Sequence, residues 1–86
     1  MPKVSEFYGI KILFYLREHG VPHFHARYAG KRVSVAIDPL EILEGSIPPR
    51  ATRLVFEWAR LHRAELLQCW KQSRAGGLPT PIPPLE

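Results

Sequence analysis

The first half of the chain alternates apolar and polar positions with the period of a β-strand. From residue 10 to 16 the apolar side chains recur at every second position, a spacing typical of a strand with one buried face. The same alternation is present over residues 33–37, while residues 23–28 and the segment LEILEG are further strand candidates. The stretch AGKR, with Gly30, predicts a tight turn between two of these strands. Together these patterns predict an antiparallel meander of three or four strands.

The second half has the period of a helix. From Pro48 onward the apolar residues recur about every 3.6 positions, which is typical of an amphipathic helix. Pro49 suits a first helical turn, and Gly76 and Gly77 end the pattern. We therefore predict one long C-terminal helix packed on one face of the sheet. The helix face expected to cover the sheet consists of Ala51, Leu54, Val55, Trp58, His62, Leu66 and Cys69.

The last nine residues, LPTPIPPLE, include four prolines. Such a segment forms neither a helix nor a central strand, so we expect an extended tail. The predicted organisation is one α+β domain over residues 1–77 and a Pro-rich tail over residues 78–86. A chain of 86 residues holds one small core, and stability in this size range often depends on a partner or a second copy. We expect a homodimer or half of a complex.

Composition narrows the choice of compartment and partner. The N-terminus and the rest of the chain lack a long apolar segment, so we expect a cytoplasmic protein with no membrane association. The single cysteine, Cys69, excludes an internal disulfide and a thiolate zinc site, so any metal ion would be bound by histidine and carboxylate. Twelve Lys and Arg against eight Asp and Glu give a net charge of +4, which favours polyanionic partners such as RNA, DNA or an acidic protein.

The motif PHFHA places His23 and His25 one residue apart in a chain with four histidines. In a regular strand both imidazoles and Arg27 project from one face, which we expect to be the open face of the sheet. Two histidines beside an arginine suit metal-independent RNA cleavage. One imidazole takes the 2′-hydroxyl proton, the other protonates the leaving oxygen, and the guanidinium stabilises the charged phosphorane. The alternative is a pair of surface histidines without a chemical role.

A second geometry gives a metal site. If Pro22 turns the histidine pair toward the helix, His23 and His25 would meet His62. Three imidazoles, with Glu65 one helical turn from His62, would bind zinc or another divalent ion and leave a coordination position open. Taken alone, a histidine among apolar helix positions such as His62 is more often a core residue with a hydrogen-bonded ring.

The outer side of the predicted helix mixes cationic and apolar residues. Phe56 and Leu67 lie among Arg60, Arg63 and other basic side chains. Exposed apolar residues ringed by arginine are typical of a protein interface. We therefore predict that Phe56, Arg60, Arg63 and Leu67 contact a second copy or a partner protein.

Several segments resemble a known bacterial family. FYGIKI, PHFHARY, LEGSIPPRA, LVFEWARLHRAEL and PIPPLE are similar to the small proteins catalogued as domain of unknown function 4160, and the likeness covers nearly the whole chain. The residues that match the family motifs are His23, Phe24, His25, Trp58, His62 and Glu65. The family has no settled catalytic residues, so the resemblance assigns no roles. It does imply that the gene lies beside that of another small domain, in a pair of the kind regarded as a toxin–antitoxin module.

Three hypotheses follow, and the sequence leaves open whether the protein is an enzyme. The first is a toxin-like component that acts on RNA or the translation machinery by histidine acid–base chemistry, needs no cofactor and is neutralised by a small antitoxin-like partner. The second is a non-enzymatic regulatory module whose helix contacts a partner or DNA. The third is a small metal-dependent hydrolase with a three-histidine site.

Overall fold

The computed structural model describes residues 2–86, in which a five-stranded antiparallel sheet is followed by two helices. The strands are β1 (Lys3–Phe7), β2 (Ile10–Leu13), β3 (His23–Tyr28), β4 (Lys31–Ile37) and β5 (Leu40–Gly45), and the helices are α1 (Pro49–Leu61) and α2 (Arg63–Arg74). The strands lie side by side in sequence order. The predicted α+β class and meander are confirmed. Over residues 2–86 no helix is long and apolar enough to span a membrane.

Two-residue turns connect β1 to β2 and β3 to β4. Tyr8 and Gly9 have φ angles of 50° and 80°, and Ala29 and Gly30 have 51° and 80°. Two successive residues with positive φ form the turn that matches the twist of paired strands. The predicted AGKR turn is therefore confirmed. Because β1 and β3 run in the same direction, both turns lie at the same end of the sheet.

The predicted strand count was too low. The structure adds β1, which pairs with β2 from Lys3↔Leu13 to Phe7↔Ile10. The strand predicted over residues 10–16 is shorter in the structure. It ends at Leu13, and the chain then leaves the sheet. Arg17 has a positive φ of 59°, and its backbone N–H donates to the carbonyl of Ser73 on α2 at 2.8 Å.

The prediction of one long helix was only roughly right, because the helical segment is divided into α1 and α2 at His62. This residue has φ −123° and ψ 28°, outside the helical region. Its N–H donates to the carbonyl of Ala59 at 3.2 Å, and its own carbonyl accepts from Leu66 N–H at 2.9 Å. Thus α1 closes with a tight turn at His62, and α2 begins at Arg63.

The core lies between one face of the sheet and the helices. Of the predicted helix face, Ala51, Val55, Trp58, Leu66 and Cys69 are buried and Leu54 is half-buried. The ring centroid of Trp58 lies 5.3 Å from that of Phe7 and 6.1 Å from that of Phe24. The helix face was therefore identified correctly despite the break.

The Pro-rich tail is extended and packs on the domain. Ile82 is buried, and its N–H donates to the carbonyl of Val4 on β1 at 2.8 Å. The indole N–H of Trp58 donates to the carbonyl of Pro83 at 2.8 Å. The tail thus contacts both the sheet and α1.

Candidate functional site

The two histidines of PHFHA lie on the central strand and project from one face. On either side of His25 are Leu13 of β2 and Ser34 of β4, while His23 is opposite Ala36 of β4. Directly opposite residues of antiparallel strands share a face. A small alanine opposite His23 leaves room for the imidazole ring.

The histidines are buried, which corrects the expectation of an open face. His23 is 8% exposed and His25 is 9% exposed, because the segment connecting β2 to β3, residues 14–22, covers them. Tyr15 in this segment stacks on the His25 ring at 4.0 Å with an interplanar angle of 16°. At the end of the segment, the carbonyl of Pro22 accepts from Ile37 N–H at 3.1 Å and aligns the start of β3.

The same segment brings a carboxylate to the imidazoles. Glu18 Oε1 lies 2.9 Å from His25 Nε2 and 3.2 Å from His23 Nε2. The ligand atoms of these three residues all lie within 4.8 Å of one another. Among residues 2–86, Glu18, His23 and His25 are the group of metal-ligating side chains that converges in this way. We refer to them as the Glu–His–His cluster.

The hydrogen bond at the other nitrogen of His23 fixes its tautomer. His23 Nδ1 lies 2.7 Å from the carbonyl oxygen of Val21. A carbonyl only accepts, so Nδ1 carries a proton. A neutral His23 therefore presents the Nε2 lone pair to the Glu18 carboxylate, and two acceptors in contact repel. The contact at 3.2 Å is favourable only if a further positive charge, a proton or a metal ion, lies there.

His25 is held on both sides. Its Nδ1 lies 3.2 Å from the hydroxyl oxygen of Ser34, and a hydroxyl can either donate or accept. When Ser34 donates to Nδ1, Nε2 carries the ring proton and donates it to Glu18. When Nδ1 carries the proton and donates to the Ser34 hydroxyl, Nε2 offers its lone pair to a metal ion. Hydrogen bonds to the second ring nitrogen are typical of metal-ligating histidines, whose ring orientation they set.

Opposing effects act on the Glu18 carboxyl group. Burial raises its pKa, but the hydrogen bonds from His25 and His23 and their charges lower it by more, so the pKa lies below its ordinary value near 4.5. Glu18 is therefore an anion at neutral pH. Its side chain is 28% exposed, so the cluster is reached from solvent on the Glu18 side.

An aromatic residue of α2 completes the wall around the cluster. The indole of Trp70 lies 5.0 Å from the His23 ring at an angle of 47°. The two imidazoles lie 5.2 Å apart, edge to face. Tyr15 thus packs against the His25 ring and Trp70 against the His23 ring. These contacts restrict the orientation of both imidazoles.

The structure does not bring His62 to this site. His62 Nδ1 instead pairs with Glu65 Oε1 one turn along α2, and its ring contacts Trp58 at 5.5 Å. The place in the cluster that was expected for His62 is taken by Glu18. Arg27 lies on the same face of β3 as the histidines, two residues beyond His25.

The predicted interface on the helix exterior is divided by the break at His62. Phe56 and Leu67 are half-buried and pack against the core. Arg63 lies 3.7 Å from Asp38, while Arg60 is exposed. Whether these residues contact a partner stays a prediction.

Sequence reasoning missed Glu18, although a signal for it was present. Glu18 precedes the Gly20–Pro22 break by only a few residues, so the connecting segment was bound to return near His23. A carboxylate in the loop before an H-x-H strand is therefore a ligand candidate, because so short a segment keeps it within reach of the two histidines. The aromatic contacts of the cluster carried no such signal.

The fold and the cluster define a class: a small α+β domain whose central strand carries a buried histidine pair under a carboxylate-bearing loop. Within that class, the chain belongs to the family described as Domain of unknown function (DUF4160), whose sequence profile matches residues 9–71. The matched region includes Glu18, His23 and His25. No curated protein and no solved structure matches the chain significantly.

Proposed function

We propose that the Glu–His–His cluster binds a divalent, zinc-like metal ion and serves as a hydrolytic centre. One observation carries the proposal. The Nδ1 hydrogen bond of His23 to Val21 leaves an Nε2 lone pair facing the carboxylate of Glu18. A metal ion is bound by such a set, since it accepts lone pairs from imidazole and carboxylate together.

The spacing of the donor atoms supports this proposal. Two ligands about 2.1 Å from zinc at the tetrahedral angle lie about 3.4 Å apart. The Glu18–His23 and Glu18–His25 separations are 3.2 Å and 2.9 Å. Small shifts of the Glu18 side chain, the more exposed member, would therefore place an ion among the three.

Three protein ligands leave a position for water, the arrangement of catalytic zinc sites. An ion bound there would lower the pKa of that water and supply a hydroxide near neutral pH. In hydrolysis the hydroxide oxygen bonds to the electrophilic atom of the substrate, the bond to the leaving group breaks, and the leaving group takes up a proton. The exposed side of Glu18 provides access for the substrate.

A metal-free mechanism is the second candidate, and the same hydrogen bonds support it. If the positive charge at the cluster is a proton, His23 is an imidazolium ion bound to Glu18. A protonated His23 beside a neutral His25 is an acid–base pair of the type that cleaves RNA. The convergence of both Nε2 atoms on one carboxylate oxygen favours the metal, because each catalytic nitrogen would have to leave Glu18 to reach a substrate.

The biological role we propose is that of a toxin-like effector neutralised by a small partner protein. Support comes from a titratable cluster in a small basic domain. The test is expression in a bacterial host without a partner. Growth arrest by the wild type, and its loss in folded His25→Ala, is the expected result. Equal growth of both strains would contradict a toxic activity of the cluster.

Metal binding is tested by competition with a chromophoric zinc chelator on the purified protein. We expect one zinc ion per chain, and binding weaker by about a hundredfold or more in Glu18→Gln, His23→Ala and His25→Ala. Binding to the folded state also raises stability, by about 2.7 kcal/mol when free zinc is a hundred times its dissociation constant. A melt with and without zinc measures this change.

Two histidines outside the cluster supply matched controls. His19→Ala removes an exposed histidine next to Glu18, and His62→Ala removes the partner of Glu65. Both should retain wild-type zinc affinity. No zinc binding, or equal losses in the control and cluster variants, would contradict the metal site. Cleavage of RNA that resists chelator but disappears in His23→Ala and His25→Ala would establish the metal-free mechanism in its place.

A further inference from the structure

A row of three basic residues crosses the sheet on the face that carries the cluster. Lys11 of β2 is directly opposite Arg27 of β3, which is directly opposite Arg32 of β4. Residues paired in this way have neighbouring side chains on one face. With strands about 4.8 Å apart, the row is about 10 Å long.

Like charges directly opposite each other destabilise a sheet. The row is partly balanced at one end, where Glu6 of β1 is opposite Lys11. However, Glu6 also pairs with Lys3 at 2.6 Å, so one carboxylate faces two lysines. The row therefore holds three cationic side chains, and the carboxylate directly opposite Lys11 is shared with Lys3. A ligand with several negative charges would relieve the repulsion.

The row lies beside a surface groove and close to the cluster. The groove has a volume of about 440 Å³, and its walls include Lys11, Arg27, Lys31 and Arg32. On β3, Arg27 is two residues from His25, and on β4, Arg32 is two residues from Ser34. Two residues of a strand extend about 7 Å. An anion on the row is thus next to the buried imidazoles.

Aromatic residues lie at the same end of the sheet. Tyr28 follows Arg27 on β3, so it projects from the opposite face and packs against the core, but it also lines the groove at the end of the sheet. On that opposite face, Tyr28, Tyr8 and Arg50 line a cavity between the sheet and α1. Tyr8, in the first hairpin turn, is 58% exposed. Cationic side chains that follow a phosphate backbone, together with aromatic rings on which bases stack, are how proteins bind single-stranded nucleic acid.

We propose that this groove binds single-stranded nucleic acid and presents one of its phosphodiesters to the Glu–His–His cluster. The inference rests on the proposed function and names its substrate class. In the reaction, the hydroxide oxygen bonds to phosphorus, one phosphorus–oxygen ester bond breaks, and the released oxygen takes up a proton to give a hydroxyl group. Water is the co-substrate.

Binding is measured without turnover, so that it is independent of the metal. A fluorescent single-stranded RNA and a DNA of the same sequence are titrated with the protein in excess chelator, at several salt concentrations. The test variant is Lys11→Gln with Arg32→Gln. The control is Arg53→Gln with Lys71→Gln, which removes the same number of charges from exposed positions on the helices. Circular dichroism verifies that all variants are folded.

We expect the groove variant to bind at least about tenfold more weakly than the control variant. Each lost phosphate contact lowers the slope of log affinity against log salt by about 0.7 for single strands. The groove variant should therefore lose about 1.4 of slope, while the control variant keeps the wild-type slope. Tyr8→Ala should weaken binding without changing the slope, because stacking releases no counterions. Equal affinities for RNA and DNA would mean that the protein recognises the phosphate backbone and the bases. Tighter binding of RNA would mean that it also contacts the 2′-hydroxyl groups.

Other outcomes would overturn the inference. Equal affinities of the groove and control variants would mean that net charge alone attracts the nucleic acid. Displacement of the oligonucleotide by polyglutamate at equal charge concentration, with no effect of Tyr8→Ala, would identify a general anion surface. Metal binding is a separate measurement: a protein that binds the oligonucleotide through the groove but binds no zinc contradicts the proposed hydrolytic centre and not the groove.

Discussion

Replacement of Trp58 by alanine tests the packing that holds the sheet, α1 and the tail together. Trp58 is fully buried, its ring lies against Phe7 and Phe24, and its indole N–H donates to Pro83 at 2.8 Å. Removing a buried aromatic side chain costs about 3–5 kcal/mol, and the lost hydrogen bond adds about 1 kcal/mol. A domain of this length has a free energy of unfolding of about 4–13 kcal/mol. We expect Trp58→Ala to lose about 4–6 kcal/mol, about a third or more of that stability.

The assay is urea unfolding followed by far-ultraviolet circular dichroism, at fixed pH and protein concentration. In a thermal melt the melting temperature should fall by roughly 15–50 °C, since each kcal/mol is equivalent to about 4–8 °C in a domain of this size. Trp58→Phe keeps an aromatic ring in place but lacks the N–H, so it should lose less, about 1–2 kcal/mol. A loss below about 1 kcal/mol in Trp58→Ala, with unchanged dependence on urea, would show that α1 does not pack as described.

Two further predictions concern titratable groups. Burial, followed by the charge of Glu65, raises the pKa of the Cys69 thiol to about 11 despite its hydrogen bond to Thr80; at pH 8 a thiol reagent should therefore react slowly with the folded protein and quickly in denaturant, and fast reaction of the folded protein would contradict the burial. The lowered pKa of Glu18 means that its ionised form stabilises the fold above about pH 4.5, and this contribution is lost as the pH falls through the lower folded-state pKa. The stability difference between wild type and Glu18→Gln should accordingly shrink in acid, and a difference that grows below pH 4.5 would reverse the assigned direction.

The sequence was sufficient to predict the strands and helices whose hydrophobic pattern is set by burial. The strand over residues 33–37 alternates because one face lies under the helices, and the face containing Trp58 and Leu66 repeats every 3.6 residues for the same reason. The AGKR turn was predictable because Gly30 accepts the positive φ that the turn requires. In each case a local residue preference and the tertiary fold agree.

The missed features depend on contacts between distant segments. The break at His62 has no glycine or proline to announce it, and each flanking segment has good helical periodicity. Residues 14–16 continue the strand pattern, yet β2 ends at Leu13. The chain then turns to α2, where Arg17 N–H donates to the carbonyl of Ser73, a residue distant in sequence but close in space. The burial of His23 and His25 follows from the same connection, which draws the loop across what was expected to be the open face.

The position of the histidines links the proposed chemistry to the stability of the fold. β3 is the middle of five strands, where Val or Ile would pack better than imidazole, and buried ionisable groups lower stability unless they are paired. Glu18 supplies that pairing only when a positive charge lies at His23. If that charge is a metal ion, its binding free energy adds to the free energy of folding, and it also fixes the loop that carries Glu18. The ion proposed for catalysis would then hold closed the segment that buries the site.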